Sequence, residues 1–479
     1  MGPGPGVREV TPQPVPDDVT RLAEKAQCIS RDCGLTGSDV VEDIFRHAER
    51  IASQAVCGSL ARRGMGDVLD DLLTSWWFGF PVMLLLLACV FWMTLIGANY
   101  PSAALARLLF AGQDMLTSLL RTVNAPPWLQ GVLVMGAYRS VAWVVSVMLP
   151  PMAIFFPCFT LLEDLGYLPR VAFNLDPLFE RVGAHGKQSL TMSMGLGCNA
   201  AGVIACRIIE SPPERLIAIL TNNFVPCNGR FPCIITLSSM CVAWFSRTAP
   251  GAAQGPVMAS MLVSGAVVLG VAVTLGVSWI LSRTVLRGVP TSFTMELPPY
   301  RRPQIGRVLF TSVIDRTVFV LGRAVTVAAP AGAIVWALAN TRVAGTSLIR
   351  WAASSLEPAA RLMGLDGVIL VAFLLGLPAN EIVLPVALMG YTGASTMVKA
   401  DAIAGLAGIL QANGWTWVTA ACTMLFSLLH FPCATTLITI FKETGSLRWV
   451  VAAALIPAGI ASLVCFLARV ALTGQFSPF

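Results

Sequence analysis

Long apolar stretches separated by short polar turns occupy most of the chain, and their lengths set the first expectations. Phe78–Ala98 is apolar for long enough to cross the ~30 Å hydrocarbon core of a bilayer as a helix. A second stretch runs from Trp128 to Leu162, punctuated by Pro150, Pro151 and Pro157. Later stretches cover residues 190–209, 216–245, 257–282, 308–340, 367–398, 415–441 and 448–472. Two of them are cut at mid-length, one at Gly197-Cys198-Asn199-Ala200-Ala201-Gly202 and the other at Leu377-Pro378-Ala379-Asn380. An arm of about ten residues spans only half the hydrocarbon core. Both segments are therefore expected to be re-entrant hairpins or broken helices lining a protein-enclosed cavity. The prediction is an all-α polytopic membrane protein with about seven spanning helices and two hairpins.

The pattern differs before the first span. Val40, Ile44, Ala48, Ile51 and Val56 recur among charges, which predicts a helix over Ser38–Arg62 with Ser38 as its N-cap. Leu69–Leu73 reads as a short amphipathic lead-in. Residues 102–123, carrying Arg107 and Arg121, are expected to lie on a membrane surface rather than cross it. The domain expectation is a disordered stretch at 1–16, a cytoplasmic helical connector at 17–75 and a transport domain at 76–479.

Composition sharpens this division. Of 479 residues 56% are hydrophobic and 12% charged, with mean hydropathy +0.73, which excludes a water-soluble enzyme of this length. Residues 1–76 hold 20 of the 58 charged side chains and are net −4; the rest is net +10. Basic residues in loops bear on membrane orientation, not on nucleic-acid binding. With the N-terminus in the cytoplasm, seven crossings put Arg170, Arg181, Lys187, Arg207, Arg215, the Arg283–Arg307 loop, Lys442 and Arg448 inside and the tail Gly474–Phe479 outside. Arg107, Arg121, Arg342, Arg350, Arg361 and Lys399 fall outside, against the rule. Met1–Pro16 is rich in Gly and Pro and has no apolar run of the signal-peptide kind. The 13 cysteines lie mostly in apolar segments, so they are not a disulfide framework, and Cys28 and Cys33 have no companion pair for zinc.

An internal repeat marks the centre. Asp176-Pro177, Gly183, His185-Gly186, Gly195-Leu196 and Asn199 recur as Glu357-Pro358, Gly364, Asp366-Gly367, Gly376-Leu377 and Asn380, at a constant offset of 181 residues. The repeats extend over about 128–282 and 308–472, and each also holds a Pro-Cys segment, at Cys227 or Cys233 and at Cys433, off that register. Three crossings between the hairpins would invert one half relative to the other. That is the inverted repeat of secondary transporters, whose substrate sits near the midplane at broken helices. The predicted class is transport.

The breaks bring Cys198, Asn199, Cys227, Asn380, Glu381 and Cys433 forward as candidate metal ligands. Glu381 is an ionisable residue deep in an apolar stretch. Thiols favour borderline or soft metals while carboxylate and amide oxygens admit harder ones, so Fe(II), Mn(II) or Zn(II) fits better than Na⁺ alone. Cys89, Cys158, Cys206, Cys241, Cys422, Cys465 and Cys233 are expected to be packing residues. Asn199 and Asn380 are equally well explained as helix caps. His185 reads as interfacial and His430 as packed, while Arg207 and Arg230 have acids or lipid phosphates as candidate partners.

These residues resemble the membrane domain of the bacterial ferrous-iron transporter B family from roughly Asp43 to Val470. The motifs carrying the resemblance are Leu162-Glu163-Asp164-Leu165-Gly166-Tyr167 with Arg170-Val171-Ala172-Phe173, His185-Gly186-Lys187, Gly195-Leu196-Gly197-Cys198-Asn199, and Glu210 with Arg215-Leu216. They continue with Pro226-Cys227 and Arg230, Glu296-Leu297-Pro298-Pro299-Tyr300, Pro378-Ala379-Asn380-Glu381-Ile382, and Pro432-Cys433. The resemblance implies Fe²⁺ uptake across a bacterial inner membrane through two gate regions, on a fold similar to that of concentrative nucleoside transporters. The family's usual GTPase has no counterpart here, since no G-x-x-x-x-G-K-[ST] occurs. Such a GTPase is expected to be a separate polypeptide, lost or truncated; a separate one would dock on residues 17–75. The chain itself is expected to be a transporter, not an enzyme, with no bound cofactor. Its expected partners are Fe²⁺, the bilayer, and a small accessory protein or further copies of itself. Two departures bear on metal preference: Ala200-Ala201 replaces the family's proline after Cys-Asn, and Cys227-Asn228-Gly229 replaces its Cys-Ser-Ala. The competing functions are a cation- or proton-coupled carrier of an organic solute such as a nucleoside, and a membrane thiol oxidoreductase. The absence of any C-x-x-C weighs against the latter.

Overall fold

A computed structural model describes residues 37–55, 65–183, 186–248, 255–286, 300, 304–310, 312, 317–343, 345–394 and 403–474. Cys28, Cys33, His185, Arg287, Glu296–Pro299, Arg301, Arg302, Lys399 and the last five residues lie outside them. Helix α1, Gly37–Ala55, belongs to a unit of its own, with Ile44, Phe45 and Ile51 exposed. The second unit comprises Met65–Pro290 and Leu297–Phe479.

This second unit begins with α2 (Met65–Leu73) and α3 (Trp76–Thr122). At about 1.5 Å per residue, the 47 residues of α3 extend about 70 Å, more than twice the hydrocarbon core. The stretch 102–123 is thus no separate surface helix. It continues the first span unbroken through Pro101 and packs along α4 (Pro127–Asp164), where the Tyr138 hydroxyl donates to the Leu109 carbonyl at 3.0 Å. Contact with α4 keeps 102–122 in line with the first span, with Gln113 buried there while Leu108, Met115 and Leu119 stay exposed.

The first hairpin follows α5 (Tyr167–Arg181) and consists of α6 (Gln188–Gly197) and α7 (Asn199–Ala205), whose arms pack on each other. The expected single crossing at 216–245 is instead divided into α8 (Pro212–Thr221) and α9 (Phe231–Thr248). Pro226 removes an amide donor and forces Val225 out of helical geometry, to ψ 124°. Then come α10 (Gly255–Arg283), α11 (Ile305–Phe310) and α12 (Phe319–Asn340). A two-residue ribbon, β1 (Arg342–Val343) with β2 (Thr346–Ser347), leads into α13 (Leu348–Leu362). The second hairpin is α14 (Gly367–Leu375) and α15 (Val383–Thr392), followed by α16 (Ile403–Ala412). A second broken span, α17 (Trp417–Leu429) and α18 (Ala434–Thr444), precedes α19 (Leu447–Thr473). Among the described residues six spans are long and apolar enough to cross a membrane, with α17 and α18 counted as one. A seventh is counted only if α13 and α14, bent by 107°, are taken together.

The repeat read from sequence is present in the backbone. Helices α5 and α13 match end for end at the 181-residue offset. Gly183 and Gly364, which follow them, both adopt left-handed geometry (φ +71° and +72°), which favours glycine. The hairpin tips agree equally well: Cys198 sits at φ −155°, ψ 123° and Ala379 at φ −154°, ψ 122°. Even the Pro-Cys breaks, which miss the sequence offset, make parallel contacts. The Asn228 amide donates to the Gly197 carbonyl (3.3 Å) and the Ala434 amide to the Leu377 carbonyl (2.7 Å).

On α5, Arg170 is almost fully buried and fastens α2 to the bundle. It donates to both carboxylate oxygens of Asp70 (2.9 and 3.2 Å) and to the Gly166 carbonyl (2.7 Å), and stacks 4.0 Å from the Tyr300 ring. The Arg170 guanidinium holds the Asp70 carboxyl below the usual carboxylate range. A depressed pKa contributes stability above the unfolded value of 3.8, and that contribution is lost as pH falls further through the folded value. Asp70→Asn is expected to cost about 1–2 kcal/mol, less than a fully buried pair because Asp70 keeps partial exposure. The check is amide exchange over residues 65–73, expressed as protection factors. Wild-type protection should collapse only below about pH 4, while Asp70→Asn should be weakly protected throughout. Equal protection of both proteins at pH 7 would remove the latch.

Candidate metal path at the two hairpin tips

All six residues singled out from the sequence line one cavity. Cys198 and Asn199 come from the tip of the first hairpin, Asn380 and Glu381 from that of the second, and Cys227 and Cys433 from the two broken spans. Gly197, Gly229 and Pro378 complete much of the wall, and the enclosed volume is about 30 Å³. The breaks explain the convergence. Each tip residue is extended, so two half-helices end at the cavity instead of running past it.

Neither asparagine is a helix cap. Each occupies the first position after an extended residue that makes no side-chain capping bond. Asn199 Nδ2 donates to Asn223 Oδ1 at 3.2 Å, while Oδ1 of Asn199 and Oδ1 of Asn380 are buried without a partner. Two bare amide oxygens in an enclosed space are costly unless something electropositive meets them. Glu381 is half-buried and pairs with no Lys or Arg among the described residues. Cys433 Sγ lies 3.2 Å from the Thr436 hydroxyl, and Cys198 and Cys227 are buried. Among the described residues no three His, Cys, Asp or Glu side chains are gathered closely enough to hold a metal ion. The cavity thus offers soft sulfur, amide oxygen and one carboxylate without a closed coordination sphere, an arrangement suited to passing an ion rather than storing it.

The remaining sequence expectations divide. Cys206, Cys233, Cys241, Cys422 and Cys465 are buried in the main apolar core, as packing predicts, and Cys89 is exposed. Arg207 pairs with an acid, Glu443, at 2.7 and 2.8 Å. Arg230 pairs with no acid among the described residues. It is fully buried and donates to the carbonyls of Asn223, Leu428, His430 and Phe431 and to Asn223 Oδ1. His430 is packed, its Nδ1 within 3.1 Å of the Phe426 and 2.9 Å of the Ser427 carbonyl. Asn222 and Asn223 were not anticipated. Asn222 Nδ2 donates to the Asn199 carbonyl (3.1 Å), and the only sequence signal was a pair of amides separated by Phe224-Val225 from a Pro-Cys break.

Two family models match the chain. The nucleoside recognition "Gate" model covers residues 145–240 and 321–447, and the ferrous iron transport protein B C-terminus model covers residues 263–315. The Gate match takes in both hairpin tips and both breaks. Among curated relatives, the Fe(2+) transporter FeoB of Staphylococcus aureus (strain MSSA476) is 27% identical over 411 residues, 83% of this chain and 58% of the relative. The Fe(2+) transporter FeoB of Methanocaldococcus jannaschii is 26% identical over 431 residues, 87% of this chain and 60% of the relative. A Fe(2+) transport protein A/Fe(2+) transporter FeoB fusion protein of Porphyromonas gingivalis is 25% identical over 499 residues, 91% of this chain and 57% of the relative. The chain therefore spans about three fifths of the length of these relatives. No solved structure matches it. Repeat, gate motifs and both family models agree on one assignment: the chain is a multi-pass membrane protein that matches the membrane domain of the ferrous-iron transporter B family.

Proposed function

We propose that this protein carries Fe²⁺ across a bacterial inner membrane, with Cys198, Asn199, Cys227, Asn380, Glu381 and Cys433 lining the path. The observation that carries the reading is the cavity shared by both halves of the repeat. Thiols supply soft ligands, the two bare amide oxygens replace part of the hydration shell, and Glu381 offsets the ion's charge. A space of about 30 Å³ holds roughly one water-sized body, which suits an ion and excludes a nucleoside despite the description attached to the Gate model. The named relatives transport Fe(2+), in line with this reading. The N-terminus lies in the cytoplasm, as the basic loops suggest. A GTPase partner, where one acts with this chain, docks on residues 17–75, where α1 leaves Ile44, Phe45 and Ile51 uncovered. A small accessory protein also joins it, in keeping with the fusion of two transport proteins in the Porphyromonas gingivalis relative.

The test is metal uptake by protein in sealed vesicles, with Fe²⁺ and Mn²⁺ compared. Cys198→Ser and Cys227→Ser nearly conserve volume and remove a soft ligand. Each is expected to slow Fe²⁺ uptake about tenfold and Mn²⁺ uptake by less than about threefold. Cys89→Ser, on an exposed face, should leave both unchanged. Equal Fe²⁺ uptake by all three variants would make the cysteines packing residues.

A further inference from the structure

Between the two Pro-Cys breaks lies a polar hub that the proposed path does not itself use. Its centre is Arg230, with no exposed surface. Nη1 donates to the carbonyls of Asn223 and Leu428, both at 2.8 Å. Nη2 donates to Asn223 Oδ1 at 3.1 Å, the His430 carbonyl at 2.9 Å and the Phe431 carbonyl at 3.1 Å. Asn223 Nδ2 donates in turn to the His430 carbonyl at 2.7 Å. Through Asn199 Nδ2, which donates to Asn223 Oδ1, the same hub reaches the tip of the first hairpin.

The topology gives these bonds a consequence. Asn223 precedes Cys227 and Arg230 follows it, and the Arg230 amide closes the loop on the Cys227 carbonyl at 2.9 Å. Leu428, His430 and Phe431 immediately precede Pro432-Cys433 in the other half of the repeat. Both ends of the Cys227 loop are therefore pinned to the strand of chain that delivers Cys433. A helix break exposes carbonyls that no longer have helical donors. A planar guanidinium with five donors can gather several of them at once, whereas a lysine ammonium offers three donors from one point. Among the described residues none of its partners is a carboxylate, which fits a part that spaces two backbones rather than neutralising a charge.

We propose that Arg230, together with Asn223, is a positioning residue that sets the separation of Cys227 and Cys433 across the metal path and ties it to the first hairpin tip. This rests on the path reading above and deepens it. A thiol pair held across one cavity binds a soft dication jointly; a loosened pair does so singly. Metal preference and thiol-dependent block thus depend on a residue that never touches the ion.

Cd²⁺ block of Mn²⁺ uptake in sealed vesicles reads the thiol spacing. Cys227→Ser should raise the half-blocking Cd²⁺ concentration at least about tenfold, and Arg230→Lys and Asn223→Leu should do the same with both thiols present. Their Fe²⁺-to-Mn²⁺ uptake ratio should fall in parallel. Lost folding alone would lower the amount of uptake and leave both the half-blocking concentration and the ratio unchanged. If Arg230→Lys does not accumulate in the membrane, Asn223→Leu, which keeps the guanidinium and its carbonyl bonds, decides the matter. Cd²⁺ block within about twofold of wild type in the folded hub variants, with Cys227→Ser insensitive, overturns the hub alone. Unchanged block in Cys227→Ser overturns the path reading beneath it.

Discussion

Glu381→Gln is expected to reduce uptake of Fe²⁺ and Mn²⁺ alike, by about a hundredfold. Among the cavity residues Glu381 alone carries a carboxylate, and no Lys or Arg among the described residues pairs with it. A unit pair of charges about 4 Å apart at an effective dielectric near 20 is worth about 4 kcal/mol, and a dication doubles that. Taking the carboxylate partly out of water offsets much of the gain, so a net loss of about 3 kcal/mol, or roughly a hundredfold, is the reasonable scale. The substitution keeps shape and hydrogen-bonding reach, so loss of the charge is the change tested. Because charge does not distinguish the two metals, the ratio of Fe²⁺ to Mn²⁺ uptake should hold, unlike that of the cysteine variants. Glu381→Asp should recover part of the rate, since it restores the charge one methylene short. Uptake by Glu381→Gln equal to wild type at matched protein amounts would take the carboxylate out of the path.

How much of this was legible in the sequence follows from what each signal reports. Apolar run length and the two mid-segment cuts located the hairpins because a half-bilayer arm has a length that cannot be disguised. The 181-residue offset located Asn199 and Asn380 in equivalent places because turn residues answer to backbone geometry, which the repeat conserves. The six residues that line the cavity were singled out on local signals: Cys198, Asn199, Asn380 and Glu381 adjoin the two cuts, and Cys227 and Cys433 each follow a proline. What sequence did not reveal were the relations between broken ends. Residues 216–245 look continuous because Val225-Pro226-Cys227 interrupts an apolar run without changing its hydropathy. Residues 102–123 look interfacial because two arginines mark them, while the packing surface on α4 that claims them is a property of another segment. Arg230 was visible as a charge but not as a hub, since its partners are main-chain carbonyls some 200 residues distant, and carbonyls carry no sequence signature.

Gly229→Ala should silence transport without unfolding the protein, and it should do so through Glu381. A Cβ added at Gly229 would overlap Glu381 Oε1, well inside van der Waals contact. One of the two must yield. The Gly229 backbone is held on one side by Cys227, whose loop is closed by the Arg230 amide, and on the other by Arg230 with its five side-chain bonds. The Glu381 carboxylate is the end of a flexible side chain and moves at little cost. It is therefore displaced from the cavity, and the folded state survives with a melting shift of only a few degrees, on the order of 1 kcal/mol. Uptake should fall nearly as far as in Glu381→Gln. The double variant distinguishes this route from general damage. If both substitutions act by removing the same charge from the same place, Gly229→Ala/Glu381→Gln is no slower than Glu381→Gln alone, whereas independent effects would multiply. Multiplying losses, or wild-type uptake by Gly229→Ala, would show that the carboxylate does not work from the position where Gly229 leaves it room.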